Sequence, residues 1–595
     1  MQRDPCEDFD AFACGNFVHQ HSAPDDHYYT NVLISMQDTI FVRLKKLLEE
    51  PAILNKTSAV SKVKALYNSC MNTSSVEDSS VSKLKELLRD DYIGTWPMLE
   101  TGYNQRPVTS ASLGLERRLA LMRVYGVEPF FQLHVGQDER NTSMHVIQIF
   151  SGSTVLRSEY YLNETDDRCR EAMRLYRETM AQTARLLGAR DPDQDVKDVV
   201  DFEIQFANLN WTYLLRSVMD HAGLQQTDES SLNLTIENDS NYIRRFFDLL
   251  NRTSPRTLAN YLSWRFVMAY MPYLDVHFRR LYQDFRRRVP GPHEERTYLS
   301  RWKECVRLLS DGFSMPMAAL FVRQDFASAT DNQVRSVALA GGVGTSRAYG
   351  VEDETERTHC TCLHVAAMGQ KVGFPKFILD PVELDKEYLG LEIDDDHFLV
   401  NILKVRRFEF ARDFSKITKP VDKEKYLNFG TIGVVIGHEI THGFAGFGKK
   451  FDKHGNFSNW WPDEALEQLR QRAGCFVDQF SQFPLWDSGL YVNGNMTLEE
   501  NICDSTAVKQ AFYVSPAYPC GACAAAPSPC KQLYHMNNQY SFCNERKGFM
   551  ITQQTCTSSN NPCISSSGNF DEFAKAFHCP LGSYMNPEKK CSLWD

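Results

Sequence analysis

The stretch TIGVVIGHEITHGF, residues 431–444, decides how this chain is read. Its first seven residues are largely apolar, as expected of a helix buried beneath a cleft. Positions four apart lie on one face of an α-helix, so His438 and His442 present both imidazoles to a single metal ion. Glu439 sits beside them, placed to act as general base on an activated water instead of ligating. The plainer alternative is a pair of ordinary histidines on a buried helix. A hydrolytic zinc site takes a third protein ligand and keeps the fourth position for water. No third histidine follows closely, and no glycine-containing extension carries one. The candidate lies in LEENICD, residues 498–504. On a helix Glu500 and Asp504 share a face, so Glu500 completes the ligand set. Asp504 then accepts a hydrogen bond from a ligating imidazole's second nitrogen, which fixes its tautomer and orientation. An acidic pair on a helix is ordinarily solvated surface, but beside two histidines short of a ligand the metal reading is preferred.

Outward from this motif, 595 residues exceed one compact core and imply two or more lobes. The composition, 43% hydrophobic, 24% charged and 12% aromatic, is that of a folded globular chain. A net charge of -11 argues against nucleic acid as a partner, because phosphate binding needs a concentrated cationic face. No run of eighteen apolar residues occurs, so no transmembrane helix is expected within the chain. Met1-Gln2-Arg3-Asp4-Pro5 opens without the apolar stretch of a signal peptide. Two features nevertheless indicate the secretory pathway. Asn55, Asn72, Asn141, Asn163, Asn210, Asn233, Asn238, Asn251, Asn456 and Asn495 each begin an N-x-S/T glycosylation triplet, where chance gives roughly three or four. The 17 cysteines are mostly isolated and far apart, a disulfide pattern whose odd count leaves at least one thiol unpaired or intermolecular. A signal or membrane anchor is therefore expected upstream of Met1.

Residues 1 to about 330 read as mostly helical, with apolar residues at three- and four-residue spacing through Val196–Leu215 and Tyr242–Phe285. No internal repeat is evident. Residues 336–365, rich in Gly, Ser and Thr, read as a loop, with a metal clip from His359, Cys360, Cys362 and His364 left open. Residues 366–430 recover helical spacing. Residues 516–567 turn irregular, and their Cys520-x-x-Cys523 and Cys530 are loop or disulfide cysteines, or else a redox or metal half-site. Helical spacing returns at Phe570, Phe573 and Phe577.

GHEITHGF (437–444) followed by ENICD (500–504) resembles the paired zinc motifs of the neprilysin and endothelin-converting-enzyme family of zinc metallopeptidases. Asp4-Pro5-Cys6 with Phe12-Ala13-Cys14-Gly15-Asn16 resembles the family's ectodomain start. Asn459-Trp460-Trp461 and Ala576-Phe577-His578-Cys579 match further signatures, as does Tyr584-Met585-Asn586-Pro587-Glu588-Lys589-Lys590-Cys591. The likeness covers most of the chain, excepting 336–365 and much of 516–567. It implies a mainly α fold with a small β component, in two lobes that enclose a central cavity. The thermolysin-like zincin core falls in residues 421–595, after a mostly helical region of 1–420. It implies disulfides Cys6–Cys579, Cys70–Cys305, Cys475–Cys591 and Cys14–Cys543. It also implies one zinc ion per chain and endopeptidase activity on small extracellular peptides. The protein would be secreted, or would be the ectodomain of a single-pass type II plasma-membrane protein; oligomeric state stays open.

The chain also departs from the family. Between Asp422-Lys423-Glu424-Lys425-Tyr426 and Leu427-Asn428-Phe429-Gly430 the family carries a longer segment with a substrate-holding edge strand. Residues 551–568 offer no oxyanion histidine; His535 is the nearest by order, with an ordinary loop histidine as the alternative. Ser592 stands where an arginine is expected, and Cys503, Ser505 and Thr506 differ from the usual residues around the second motif. Losing one oxyanion donor costs roughly a hundred- to a thousand-fold in turnover, and losing a substrate clamp damages positioning. Two functional classes follow: a zinc endopeptidase, or a catalytically impaired relative that keeps zinc and binds peptides.

Overall fold

The computed structural model describes residues 4–14, 29–51, 57–89, 92–100, 114–138, 141–152, 154–163, 165–208, 234–235, 240–289, 299–325, 376–418, 433–446, 448–451, 457–458, 461–483, 491–514, 544–546 and 567–593. It is mainly helical, and local chemistry sets many of the helix starts. Ser58 accepts from the Ser61 amide at 3.1 Å to open Ala59–Met71, and Asn31 accepts from Ile34 at 2.8 Å to open Val32–Glu49. The helical spacing of Tyr242–Phe285 resolves into three helices, Ser240–Arg252, Pro255–Tyr270 and Val276–Arg288. Ser254-Pro255 sets one break, a serine cap followed by a proline at the first helical position. Asp275 sets the other, accepting from the His277 and Phe278 amides. The longest helix among the described residues, Asp167–Leu187, ends on Gly188 at φ 111°, where a left-handed residue closes the last turn.

The small β component includes a hairpin that the helical reading of 1–330 missed. Phe131–Asp138 pairs antiparallel with Asn141–Ser151, and Leu234–Thr235 joins the second strand in parallel at Ile147. Short period-two alternation over FQLHVGQD is a weaker signal than the helices around it. A second sheet pairs Tyr29–Asn31 with Asn544–Arg546, joining an early and a late segment.

Packing divides into a large core and two smaller ones. The large core takes residues from Leu44 to Val405, centred on fully buried Trp96, Phe130, Tyr176, Phe206, Tyr261 and Trp264. Among the polar groups buried within it, Glu203, 0% exposed, accepts from the Tyr161 and Tyr176 hydroxyls, and Trp264 donates to Tyr176 at 2.7 Å. Burial pushes the Glu203 carboxyl up, and the Arg265 charge opposes the shift. The second core joins Ala445, Leu469, Phe476, Phe480, Ile502, Cys503 and Cys591. The third packs Phe9 of the first helix, Phe9–Cys14, against Ala507, Val508, Phe573 and Met585. The start of the chain thus belongs to the core built from its end, and the Met585 amide donates to the Cys6 carbonyl at 2.9 Å.

Disulfides join Cys6 to Cys579, Cys70 to Cys305 and Cys475 to Cys591. Cys14 is also disulfide-bonded, and Cys543 lies outside the described residues. Asn72, Asn163, Asn251 and Asn495 are exposed. The side chain of Asn141 and residues Asn55, Asn210, Asn233, Asn238 and Asn456 lie outside what is described. Among the described residues no single helix is long and apolar enough to cross a membrane.

Candidate metal centre

Two helices make the site. The histidine helix, Gly433–His442, ends on His442 itself, the last residue of its functional face. Phe444 and Ala445 donate back to the Thr441 carbonyl at 2.9 Å, and Gly446 turns the chain away at φ 51°. The carboxylate helix, Leu498–Val514, begins where the Asn501 amide donates to the Thr497 carbonyl at 3.0 Å. Ile502 and Cys503 bury into the second core and Ala507 and Val508 into the third. With those positions committed to packing, Glu500 and Asp504 face the histidine helix.

The contacts across this face are short. His438 Nδ1 meets Asp504 Oδ1 at 2.9 Å, so the imidazole donates there and its Nε2 lone pair points the other way. That Nε2 lies 3.1 Å from Glu500 Oε2 and 3.0 Å from His442 Nε2, and His442 Nε2 lies 3.6 Å from the same Glu500 oxygen. Four tetrahedral ligands 2.0–2.1 Å from zinc stand about 3.3 Å from each other. The three separations bracket that value, and two nitrogen lone pairs and a carboxylate oxygen are the donor set zinc takes. The residues fit the ion.

The electrostatics follow from burial and neighbours. Burial alone would lower the His438 pKa. The Asp504 hydrogen bond and charge, with Glu500 and Glu439 nearby, outweigh it and hold the pKa above the ordinary histidine value. Burial also lifts the Asp504 carboxyl, against the pull of His438. The shared proton belongs on the imidazole, the more basic partner. Burial first, then the Glu500 and Asp504 charges, push the Cys503 thiol far up, so it stays a protonated packing group. Glu439 is exposed, one residue from His438.

His438, His442, Glu500 and Asp504 are thus brought together, with Glu439 at the rim. Among the described residues no other group of three metal-binding side chains lies as close. His359, Cys360, Cys362, His364, Cys520, Cys523 and His535 lie outside the described residues. Ser592 accepts from Lys509 Nζ of the carboxylate helix at 2.9 Å, which puts a cation beside the position where the arginine was expected. The sequence reading missed Glu499, whose Oε1 lies 3.4 Å from His442 Nδ1. Adjacent helical residues point about 100° apart, so nothing in the spacing places Glu499 and Glu500 on one site.

Two profiles of peptidase family M13 match residues 5–338 and 420–593. Neprilysin-11 of Caenorhabditis elegans is 28% identical, covering 99% of this chain and 79% of its own length. Human endothelin-converting enzyme-like 1 is 27% identical, covering 99% and 84%. The first of these alignments runs over 681 positions against 595 residues here, so this chain lacks segments that the relative carries. Among solved structures, the zinc metalloprotease Zmp1 of Mycobacterium tuberculosis superimposes with a TM-score of 0.81 at 17% identity, covering 100% of this chain and 98% of its own. PepO of a Lactobacillus gives 0.78 at 16% identity, covering 100% of each chain.

Proposed function

The chain belongs to peptidase family M13, and from that premise we propose that it is a zinc-dependent endopeptidase of small extracellular peptides. His438, His442 and Glu500 hold one zinc ion per chain, Asp504 orients His438, and Glu439 is the general base. One observation carries the reading: three donor atoms from two helices converge at 3.0–3.6 Å, one of them already oriented by a carboxylate. A zinc ion held by His438, His442 and Glu500 would supply Lewis-acid chemistry, polarising a scissile carbonyl and lowering the pKa of a water towards about 7. Glu439 takes the water's proton and passes it to the leaving amine, a role suited to an exposed carboxylate one residue from His438. Asp504 keeps the Nδ1–H tautomer of His438, so Nε2 stays an acceptor throughout.

The extracellular setting is supported by disulfides between distant segments, which persist in oxidising compartments. The four exposed sequon asparagines support glycosylation. A second reading, a zinc-retaining protein that binds peptides without cleaving them, is favoured by the segments missing relative to longer relatives. One experiment separates them. The glycosylated protein is purified, its zinc measured, and a mixed peptide pool digested beside Glu439→Gln. The endopeptidase reading requires zinc and cleavage in the parent, and cleavage lost in the variant. Zinc-loaded parent with no cleavage above the variant supports the binding reading instead. Full zinc occupancy in Glu500→Ala contradicts the ligand assignment.

A further inference from the structure

The two histidines are not held alike. His438 has Asp504 at 2.9 Å from its Nδ1, and His442 has Glu499 at 3.4 Å from its own. In both cases the carboxylate takes the nitrogen that faces away from the other imidazole, and the two Nε2 atoms meet at 3.0 Å. A second, independent feature shows that the Glu499 carboxylate has a built seat. Gly446, in the turn that follows the histidine helix, has φ 51°, and a methyl group there would overlap the Glu499 carboxylate. The turn therefore leaves room for that side chain where almost any other residue would fill it.

We propose that Glu499 is a positioning residue for the metal centre: seated against Gly446, it holds the Nδ1–H tautomer of His442 and turns its Nε2 towards the shared point. The inference rests on the zinc-site reading and extends it. Each ligating imidazole then has its own carboxylate, one from each end of the first turn and a half of the carboxylate helix. Without Glu499 the His442 ring is free to rotate and to carry its proton on either nitrogen, and half of those arrangements remove the lone pair from the site. Carboxylates in this position also raise the basicity of the imidazole they touch. Because the Glu499 contact is longer than the Asp504 contact and its side chain is 39% exposed against 17%, its effect is the smaller of the two.

The test is zinc affinity, read by chelator competition on the full metal-free chain, with the unfolding temperature of that metal-free chain as control. Loss of an orienting carboxylate typically weakens metal binding about 10- to 100-fold. Glu499→Ala is expected near the lower end, about tenfold, with the metal-free unfolding temperature unchanged. Glu499→Gln keeps an acceptor without its charge and is expected to recover part of the loss. Gly446→Ala, which crowds the carboxylate out of its seat and also strains a backbone at φ 51°, is expected to weaken zinc binding at least as much. In the double variant the two losses do not add, because the second change removes a group the first has already displaced. Zinc affinity of Glu499→Ala within about threefold of the parent overturns the inference, as does simple additivity with Gly446→Ala. A parent that takes up no zinc overturns the site reading and this inference with it. A parent that binds zinc normally, beside an unaffected Glu499→Ala, removes the inference alone.

Discussion

Removing the Phe9 ring should loosen the metal centre, although Phe9 lies near the other end of the sequence. Phe9 is 0% exposed, and its ring meets Phe573 edge-on at 4.7 Å and Phe577 at 5.2 Å. The same cluster holds Ala507 and Val508, which lie on the helix that carries Glu500 and Asp504. Truncating a buried phenylalanine costs about 3–5 kcal/mol in lost transfer energy and residual cavity. Two edge-on ring contacts of about 0.5–1.5 kcal/mol each place Phe9→Ala in the upper part of that range. The Cys6–Cys579 disulfide keeps the first helix tethered, so the cost appears as local opening of this cluster and not as detachment of the chain end. At about 1.4 kcal/mol per tenfold, 3–5 kcal/mol raises the opened population about 100- to 4,000-fold. Native-state hydrogen exchange over residues 498–508 measures it directly, and chelator competition reads the accompanying fall in zinc affinity. Phe9→Leu, which conserves most of the volume, is expected to cost less than about 1.5 kcal/mol. A change in protection below tenfold for Phe9→Ala would refute the argument that this cluster buttresses the carboxylate helix.

Further outcomes are expected at the site itself. Glu439→Gln should bind zinc like the parent yet lose about 10²- to 10⁴-fold in peptide turnover, and a variant retaining turnover would remove Glu439 from the base role. Asp504→Ala should weaken zinc binding about 10- to 100-fold, with Asp504→Asn less affected because its amide oxygen still accepts from His438; equal affinities would show the 2.9 Å contact to be idle. In the metal-free protein the His438 pKa is raised, so its folded value exceeds the unfolded value of about 6.5. The protonated imidazole therefore adds stability below that unfolded value, and the contribution is lost as pH rises through the folded value. The unfolding temperature of the metal-free parent, minus that of Asp504→Ala, should fall as pH rises above the unfolded histidine value of about 6.5; a difference that rises with pH would contradict the sign. Zinc binding runs the opposite way, since protons compete for the histidines, so the gain from added zinc should shrink on acidification.

How much of this was legible beforehand depends on range along the chain. His438 and His442 could be paired from spacing alone, because an α-helix places residues four apart on one face wherever it occurs. The serine, asparagine and aspartate caps at 31, 58, 254 and 275 are likewise local chemistry, a side-chain oxygen meeting an amide two or three residues on. The hairpin over Phe131–Ser151 escaped the helical reading because a strand's pattern is short and its pairing lies outside it. Glu500 and Asp504 follow from what a two-histidine site lacks, together with the family resemblance.

The sequence by itself thus determined a helix with two metal-facing imidazoles, a second helix with a carboxylate pair, and the cysteine-rich, sequon-rich character of the chain. Only the tertiary structure decided that His438 and Asp504, 66 positions apart, share a hydrogen bond. It alone seated Glu499 against Gly446 and packed the first helix under the carboxylate helix. The physical reason is that helix periodicity and capping are settled within a few residues by backbone hydrogen bonding. Convergence of distant side chains depends on which apolar faces bury against each other. Here Ile502 and Cys503 on one side and Ala507 and Val508 on the other set the rotation of the carboxylate helix, and with it which acids reach the histidines.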